Sequence, residues 1–322
     1  MKNIFRRLGI TLPAMIFALV ATILRSIASI TDMDYATGFY GASLTARVAN
    51  VMMVAAAVLL LATLFIKVEN PSLRPTQSGP LGYLPAGVLS ISLLFVVIDL
   101  FSYVSINLPY ITLAAILSHR SYLVAVLTAI LAIFTVAFAA VSALVSEQRN
   151  LLRALLGMAA ALFFGVYAGF CFFRFDGGIN QPQKVLTEMA VLSIAVFLLE
   201  ETRISLGRER WKSYFVFGIL SSALAAYTAI PALMVYIFNS KMIAFSLSEI
   251  LLILAVLVFA VCKLIAAYRF GRNEPSCFVA AICADSTEEI SEEADEELAQ
   301  LSIEDVADDG ERQAENEEDS GN

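Results

Sequence analysis

Four ionisable side chains, Arg25, Asp99, Glu188 and Glu249, stand inside long apolar stretches, where a charge needs a reason to be. On insertion scales such a charge costs about 2.5 to 3.5 kcal/mol at a helix centre, so charges within spans face protein or water and often mark solute or ion pathways. The chemistry open to this set is binding rather than bond-making. Asp99, Glu188 and Glu249 facing Arg25 and the nearby Arg47 could line one polar pocket for a small solute or an ion. The longer side chains also have a plainer reading. Arg25 lies about five residues from the end of its stretch, roughly 7 to 8 Å, which a snorkelling arginine can span. Glu188 and Glu249 are within about two turns of the same interface. Asp99 is short and sits among Val96, Val97, Ile98, Leu100 and Phe101, so it is expected to face the helix bundle and not lipid.

Bond-making chemistry finds little support. The sequence Glu200-Glu201-Thr202-Arg203 is similar to the paired-glutamate motif of the intramembrane CAAX-protease-like family. That family's pattern places Arg four residues after the second Glu, where Ser205 stands, and requires histidines on later helices. The single histidine, His119, precedes the motif, so an inner-interface salt cluster is expected instead. Neither a Gly-x-Ser-x-Gly elbow, a His-Glu-x-x-His pair nor a phosphate-binding Gly-x-x-x-x-Gly-Lys loop occurs, and no enzyme, metal or cofactor is expected. Cys171 and Cys262 fall in apolar stretches, while Cys277 and Cys283 follow the last of them; this is no disulfide framework.

The elements that must position these residues are eight apolar stretches: Leu8 to Ile30, Leu44 to Ile66, Tyr83 to Val104, Ser121 to Val145, Leu151 to Phe173, Val185 to Ile204, Ser213 to Phe238 and Ile243 to Tyr268. A hydrocarbon core of about 30 Å needs about 20 helical residues, and each stretch approaches or exceeds that. With 59% hydrophobic and 16% charged residues, the chain cannot hide its apolar surface from water. An all-α integral membrane protein of eight transmembrane helices follows, with a membrane domain over 1–272 and a juxtamembrane segment and tail over 273–322.

The net charge of -8 conceals two opposed parts: residues 285 to 322 carry -16, and residues 1 to 284 carry +8. Fourteen basic residues of the body gather at one set of helix ends, among them Arg6, Arg7, Lys67, Arg149, Arg153, Arg203, Arg208, Lys263 and Arg269. Six, Arg25, Arg47, Arg120, Arg174, Lys184 and Lys241, remain for the other set. Short basic loops stay in the cytoplasm, which predicts a cell-membrane protein with both termini cytoplasmic. Lys2, Arg6 and Arg7 before an apolar run also fit a signal peptide, but the run exceeds a usual h-region, so the first helix is expected to be retained.

Several matches separate the body into halves, 1–149 and 150–272. Tyr83-x-x-x-Gly87-x-Leu-Ser pairs with Tyr214-x-x-x-Gly218-x-Leu-Ser, and Asp34 with Asp176, each at corresponding helix entries. They fit two tandem four-helix repeats, or coincidence among helices drawn from few residue types. Gly157, Ala161, Gly165 and Gly169 form a small-residue ridge for close helix packing, either internal or at a homodimer seam. Pro231 should leave carbonyls free within the seventh helix.

In the tail, Ser286 and Glu289 make a capping box, and Ile290, Leu298 and Leu301 have helical spacing that a cytosolic partner could order. Two functions emerge. One is a small-solute transporter or permease with an outward polar pocket, the other a membrane sensor or assembly protein recruiting a cytosolic protein through its tail. The partners expected are the lipid bilayer, a small solute or ion and that cytosolic protein, with no nucleic acid.

Overall fold

The computed structural model describes residues 11–34, 38–65, 80–107, 120–144, 150–173, 181–207, 210–238 and 246–270. Among them run eight α-helices: α1 Thr11–Thr31, α2 Leu44–Ala62, α3 Pro80–Asn107, α4 Arg120–Leu144, α5 Leu151–Phe173, α6 Pro182–Ser205, α7 Trp211–Phe238 and α8 Leu247–Phe270. Seven are long and apolar enough to cross a membrane; α6, which carries Lys184, Glu188, Glu200, Glu201 and Arg203, is outside that set. The distribution of residue types gives the same reading. Ala14, Ala18, Ala21, Ala28, Ala49 and Ala56 are buried, whereas Leu12, Leu19, Ile23, Val51, Val54, Val58, Ile91, Ile133 and Leu162 are exposed. Small residues inside and large apolar ones outside is the pattern of a solvent as apolar as leucine, where close packing replaces the hydrophobic effect in joining helices. The chain is a multi-pass, membrane-embedded helical protein.

Helix neighbours define the architecture. Helices α3, α4, α5, α6, α7 and α8 each pack on the next, and α8 returns to pack on α3, closing a six-helix ring. Helices α1 and α2 form a hairpin outside that ring, joined to it chiefly by α1 against α7. The hairpin is a small-residue contact: Ala18, Ala21, Ala49, Met53 and Ala56 pack together with Tyr227 of α7. The main core combines small and aliphatic residues with aromatic ones, among them the stacked pair Phe163 and Tyr167 with centroids 5.9 Å apart and the edge-on pair Tyr103 and Phe170 at 5.4 Å.

This arrangement bears on the expected repeat. In residues 150–272 consecutive helices all pack on one another, but α2 and α3 make at most marginal contact. Gly218 is buried, and a Cβ there would lie 2.7 Å from Leu264 Cδ2 and 2.9 Å from Phe197 Cε2; Gly87 is exposed, with nothing within 4 Å. The two glycines expected to be equivalent therefore have different surroundings. Asp176, half of the other matched pair, lies outside the described residues.

The ridge on α5 is likewise only partly used. A Cβ on Gly157 would stand 2.6 Å from Thr202 Oγ1 of α6 and 3.3 Å from Phe138 Cε2 of α4, so three helices converge there. Ala161 is buried, but Gly165 and Gly169 are half-buried with nothing within 4 Å. Close approach is confined to the start of the helix.

Local chemistry sets several ends. Gly207, at φ 81°, terminates α6, its N–H and that of Leu206 taking the Ile204 and Thr202 carbonyls at 2.9 and 3.0 Å. Ser43 caps α2 by accepting from the Ala46 N–H at 3.1 Å while donating to Asp32, just past α1. That bond from Ser43, with one from Thr31, holds the Asp32 carboxyl below its ordinary range. Beyond α2, Lys212 of α7 donates to the Leu64 carbonyl at 2.6 Å and pins the short 3-10 turn Thr63–Phe65.

Candidate functional site: a buried guanidinium beside α7

Arg25 faces inward because the buried stripe of α1, Ala14, Ala18, Ala21, Thr22, Arg25, Ala28 and Ser29, is the stripe that packs on α2 and α7. It is completely buried. Snorkelling to the surface, which its position allows, is therefore not what it does. Its Nη1 donates to Asn50 Oδ1 of α2 at 3.3 Å and its Nη2 to Gln183 Oε1 of α6 at 3.2 Å. The guanidinium lies between two rings, 5.0 Å from the Tyr40 centroid and 4.9 Å from that of Tyr227. Nε is buried without a hydrogen-bond partner. Among the described residues no carboxylate pairs with Arg25.

A second layer fixes these partners. The Tyr227 hydroxyl donates to Asn50 Oδ1 at 2.6 Å, and Gln183 Nε2 donates to the Thr228 carbonyl at 3.0 Å, which turns the Gln183 oxygen toward Arg25. Pro231 lies one turn further along α7, without the N–H that the Tyr227 carbonyl would otherwise receive. Tyr40 reaches the site from the loop between α1 and α2, where Met33 and Tyr40 form an isolated antiparallel bridge and the Ser29 and Tyr40 hydroxyls are 2.7 Å apart. Gly38, at φ 72°, lets that loop lie against Gln181 at the start of α6; a Cβ there would fall 2.1 Å from Gln181 Nε2. The shell thus draws on α1, α2, α6, α7 and one loop.

The other residues expected in a shared pocket are distributed differently. Asp99 is half-buried on α3 and accepts from Ser248 Oγ of α8 at 2.8 Å, so it faces a neighbouring helix, as its short side chain requires. Ser246 Oγ is 2.7 Å from Ser248 Oγ and accepts from the Glu249 N–H at 3.3 Å. The row runs Glu249 N–H to Ser246, Ser246 to Ser248, and Ser248 to Asp99, ending on a carboxylate at the positive end of α8. Ser246 and Glu249 occupy the cap and third positions of α8, the spacing of a capping box, so Glu249 has a helix-terminus role as well as a buried position. Glu188 is half-buried on α6 and Arg47 is exposed on α2. Among the described residues none of Asp99, Glu188 and Glu249 is paired with Arg25, which has its own shell, while Asp99 joins an α3–α8 tie.

A third polar group occupies the opposite end of the ring. Glu201 Oε1 of α6 accepts from Arg153 Nη2 of α5 at 2.6 Å and from Lys263 Nζ of α8 at 3.1 Å, all three residues being buried. Tyr214 of α7 also hydrogen-bonds Glu201. Arg203 pairs with Glu200 at 2.6 Å. The paired glutamates therefore form the salt cluster expected of them. What the sequence did not assign is its membership, since Lys263 comes 62 residues after Glu201.

Asn50, Gln183, Tyr40 and Tyr227 were not singled out from sequence. A signal did exist: a polar amide in or beside an apolar stretch needs a partner as much as a charge does. His119, Cys277, Cys283, Ile290, Leu298 and Leu301 lie outside the described residues. No known protein family, curated protein or solved structure matches this chain.

Proposed function

We propose that the chain is a small-solute transporter or permease of the cell membrane, with eight spans including α6, both termini cytoplasmic and a solute pocket at the outer side around Arg25. The observation that carries this reading is a completely buried arginine whose partners among the described residues are all neutral. Two amides and two rings hold its position without cancelling its charge. An uncompensated charge in a membrane-embedded bundle is costly to keep, which is the usual mark of a substrate or ion pathway. The alternative, recruitment of a cytosolic protein through the tail, draws on the charge of residues 285 to 322.

Purified protein in proteoliposomes should give uptake above protein-free vesicles, and Arg25→Gln should lower it at least about tenfold, equivalent to about 1.4 kcal/mol, with the melting profile retained. Uptake indifferent to Arg25→Gln in folded protein would remove Arg25 from the pathway. The topology has its own measurement. Cysteines introduced at Asn70, Gln148 and Arg208 should resist an impermeant thiol reagent in intact cells, and those at Asp34, Gly178 and Asn239 should react, as the fourteen-to-six division of basic residues requires. Labelling of the first group from outside would reverse the orientation.

A further inference from the structure

We infer that the ligand held by Arg25 is the carboxylate of a small solute, bound side-on by Nε and one Nη of the guanidinium between the Tyr40 and Tyr227 rings; this deepens the transport reading and rests on it.

Charge sets the class of ligand. Arg25 supplies one positive charge, and among the described residues all its hydrogen-bond acceptors are neutral and no second basic side chain joins the shell. A monoanion cancels that charge; a dianionic phosphate would bring an excess negative charge into the same buried volume. Shape narrows it further. A guanidinium presents planar, paired N–H donors that match the two oxygens of a carboxylate, and here the Tyr40 and Tyr227 ring centroids lie 5.0 and 4.9 Å from it.

Vacant donor capacity lies on the guanidinium edge. Nε has no partner, and the bonds from Nη1 and Nη2 run to amide oxygens at 3.3 and 3.2 Å, longer than a charge-assisted bond to a carboxylate. A carboxylate can take Nε and displace one amide. A solute would come in past Asn50, which is exposed, and Tyr40, which is half-buried; Arg25, Gln183 and Tyr227 behind them are buried. The Tyr227–Asn50 and Gln183–Thr228 bonds hold the amides without using Nε.

The probes are sodium acetate and sodium benzoate, compared with sodium chloride and sodium phosphate at equal ionic strength, on the full chain in a neutral detergent with thermal unfolding as readout. The carboxylates should raise Tm saturably and chloride and phosphate should not. Arg25→Lys, which keeps the charge and loses the fork, should weaken the apparent affinity at least tenfold. Tyr40→Ala, at a half-buried loop position, should weaken it severalfold and serves if Arg25 variants fail to fold. Equal shifts from all four salts, a shift from phosphate alone, or carboxylate shifts unchanged in both variants would overturn the inference.

A lipid headgroup could present the same group, so nanodiscs of phosphatidylcholine are compared with nanodiscs containing phosphatidylserine. Stabilisation by phosphatidylserine with none by acetate or benzoate would overturn a free solute as the ligand. Carboxylate binding without uptake would remove the transport reading and keep this one. Uptake of an uncharged solute with no carboxylate binding would do the reverse.

Discussion

Glu201→Gln should lower the stability of the folded protein by about 3 to 5 kcal/mol, the cost of leaving buried charge without its partner. In the wild type one carboxylate oxygen receives both Arg153 Nη2 and Lys263 Nζ, and the three residues tie α5, α6 and α8 together in the ring. A glutamine fits the space and can still accept hydrogen bonds, so the substitution isolates charge from shape. What remains is two buried cations facing one neutral amide. Arg153 is the more exposed to this loss, because its Nε and Nη1 already lack partners. The measurement is the thermal unfolding midpoint in detergent, with monodisperse yield beside it. Replacing Arg153, Glu201 and Lys263 together by Met, Leu and Met should restore most of the stability, since a buried ion cluster exchanged for well-packed apolar residues is often neutral or stabilising. A Glu201→Gln protein that melts with the wild type would show that the cluster contributes no net stability.

The second large effect is expected at Trp211. It is 1% exposed at the start of α7, edge-on to Tyr214 at 5.6 Å and tilted against Phe215 at 6.5 Å. Trp211→Ala removes the largest side chain in the described interior and leaves a void beside the Glu201 cluster, through Tyr214. Truncations of this kind cost about 3 to 5 kcal/mol, mostly as lost contacts and an unfilled cavity. Trp211→Phe keeps the ring contacts and should recover more than half of the loss. Because the chain has a single tryptophan, unfolding is followed by circular dichroism in both variants. An alanine variant as stable as the phenylalanine one would mean that neighbouring side chains close the void.

Much of the fold was legible because its strongest signal, apolar length, is local. All eight stretches read from the sequence correspond to helices, with boundaries shifted where capping decides them: α8 begins at Leu247 behind the Ser246 cap, and α3 begins at Pro80. Their arrangement was not legible. A ring closed by α8 against α3, with the first hairpin outside it, depends on which helices meet, and small-residue faces of similar composition do not specify which partner each one takes. The match of Gly87 with Gly218 gave no sign of their surroundings, since Gly218 is packed between side chains and Gly87 is open.

The site divides along the same line. Sequence picked out Arg25 and Asp99 as charges that needed explanation; Arg25 is completely buried and does not snorkel, and Asp99 accepts a bond from α8. Which helix each of them would meet was not legible, because position along the membrane was inferred but position around the bundle was not. Five charged residues near one surface looked like one pocket; the helix order separates Arg25 on the α1–α7 side from Asp99 at the α3–α8 closure. Glu249 carried its own hint, a serine three residues earlier.

The closure of α3 by α8 also has a timetable. Asp99 and Ser248 are separated by 149 residues, and at about 5 to 20 residues per second the ribosome needs roughly 7 to 30 s between them. During that interval α3 is made but its neighbour is not, and Asp99 has neither its serine donor nor the end of α8. The nascent intermediate must shelter one carboxylate, by staying near the translocation channel or by contact with an insertion factor. Arg25 waits less, since Tyr40 and Asn50 follow it within 25 residues and only its bond to Gln183 spans 158. A carboxylate without its donor on a half-made chain is a vulnerability that the finished bundle no longer displays, and slowed synthesis between Asp99 and Ser248 would lengthen the window in which quality control can act.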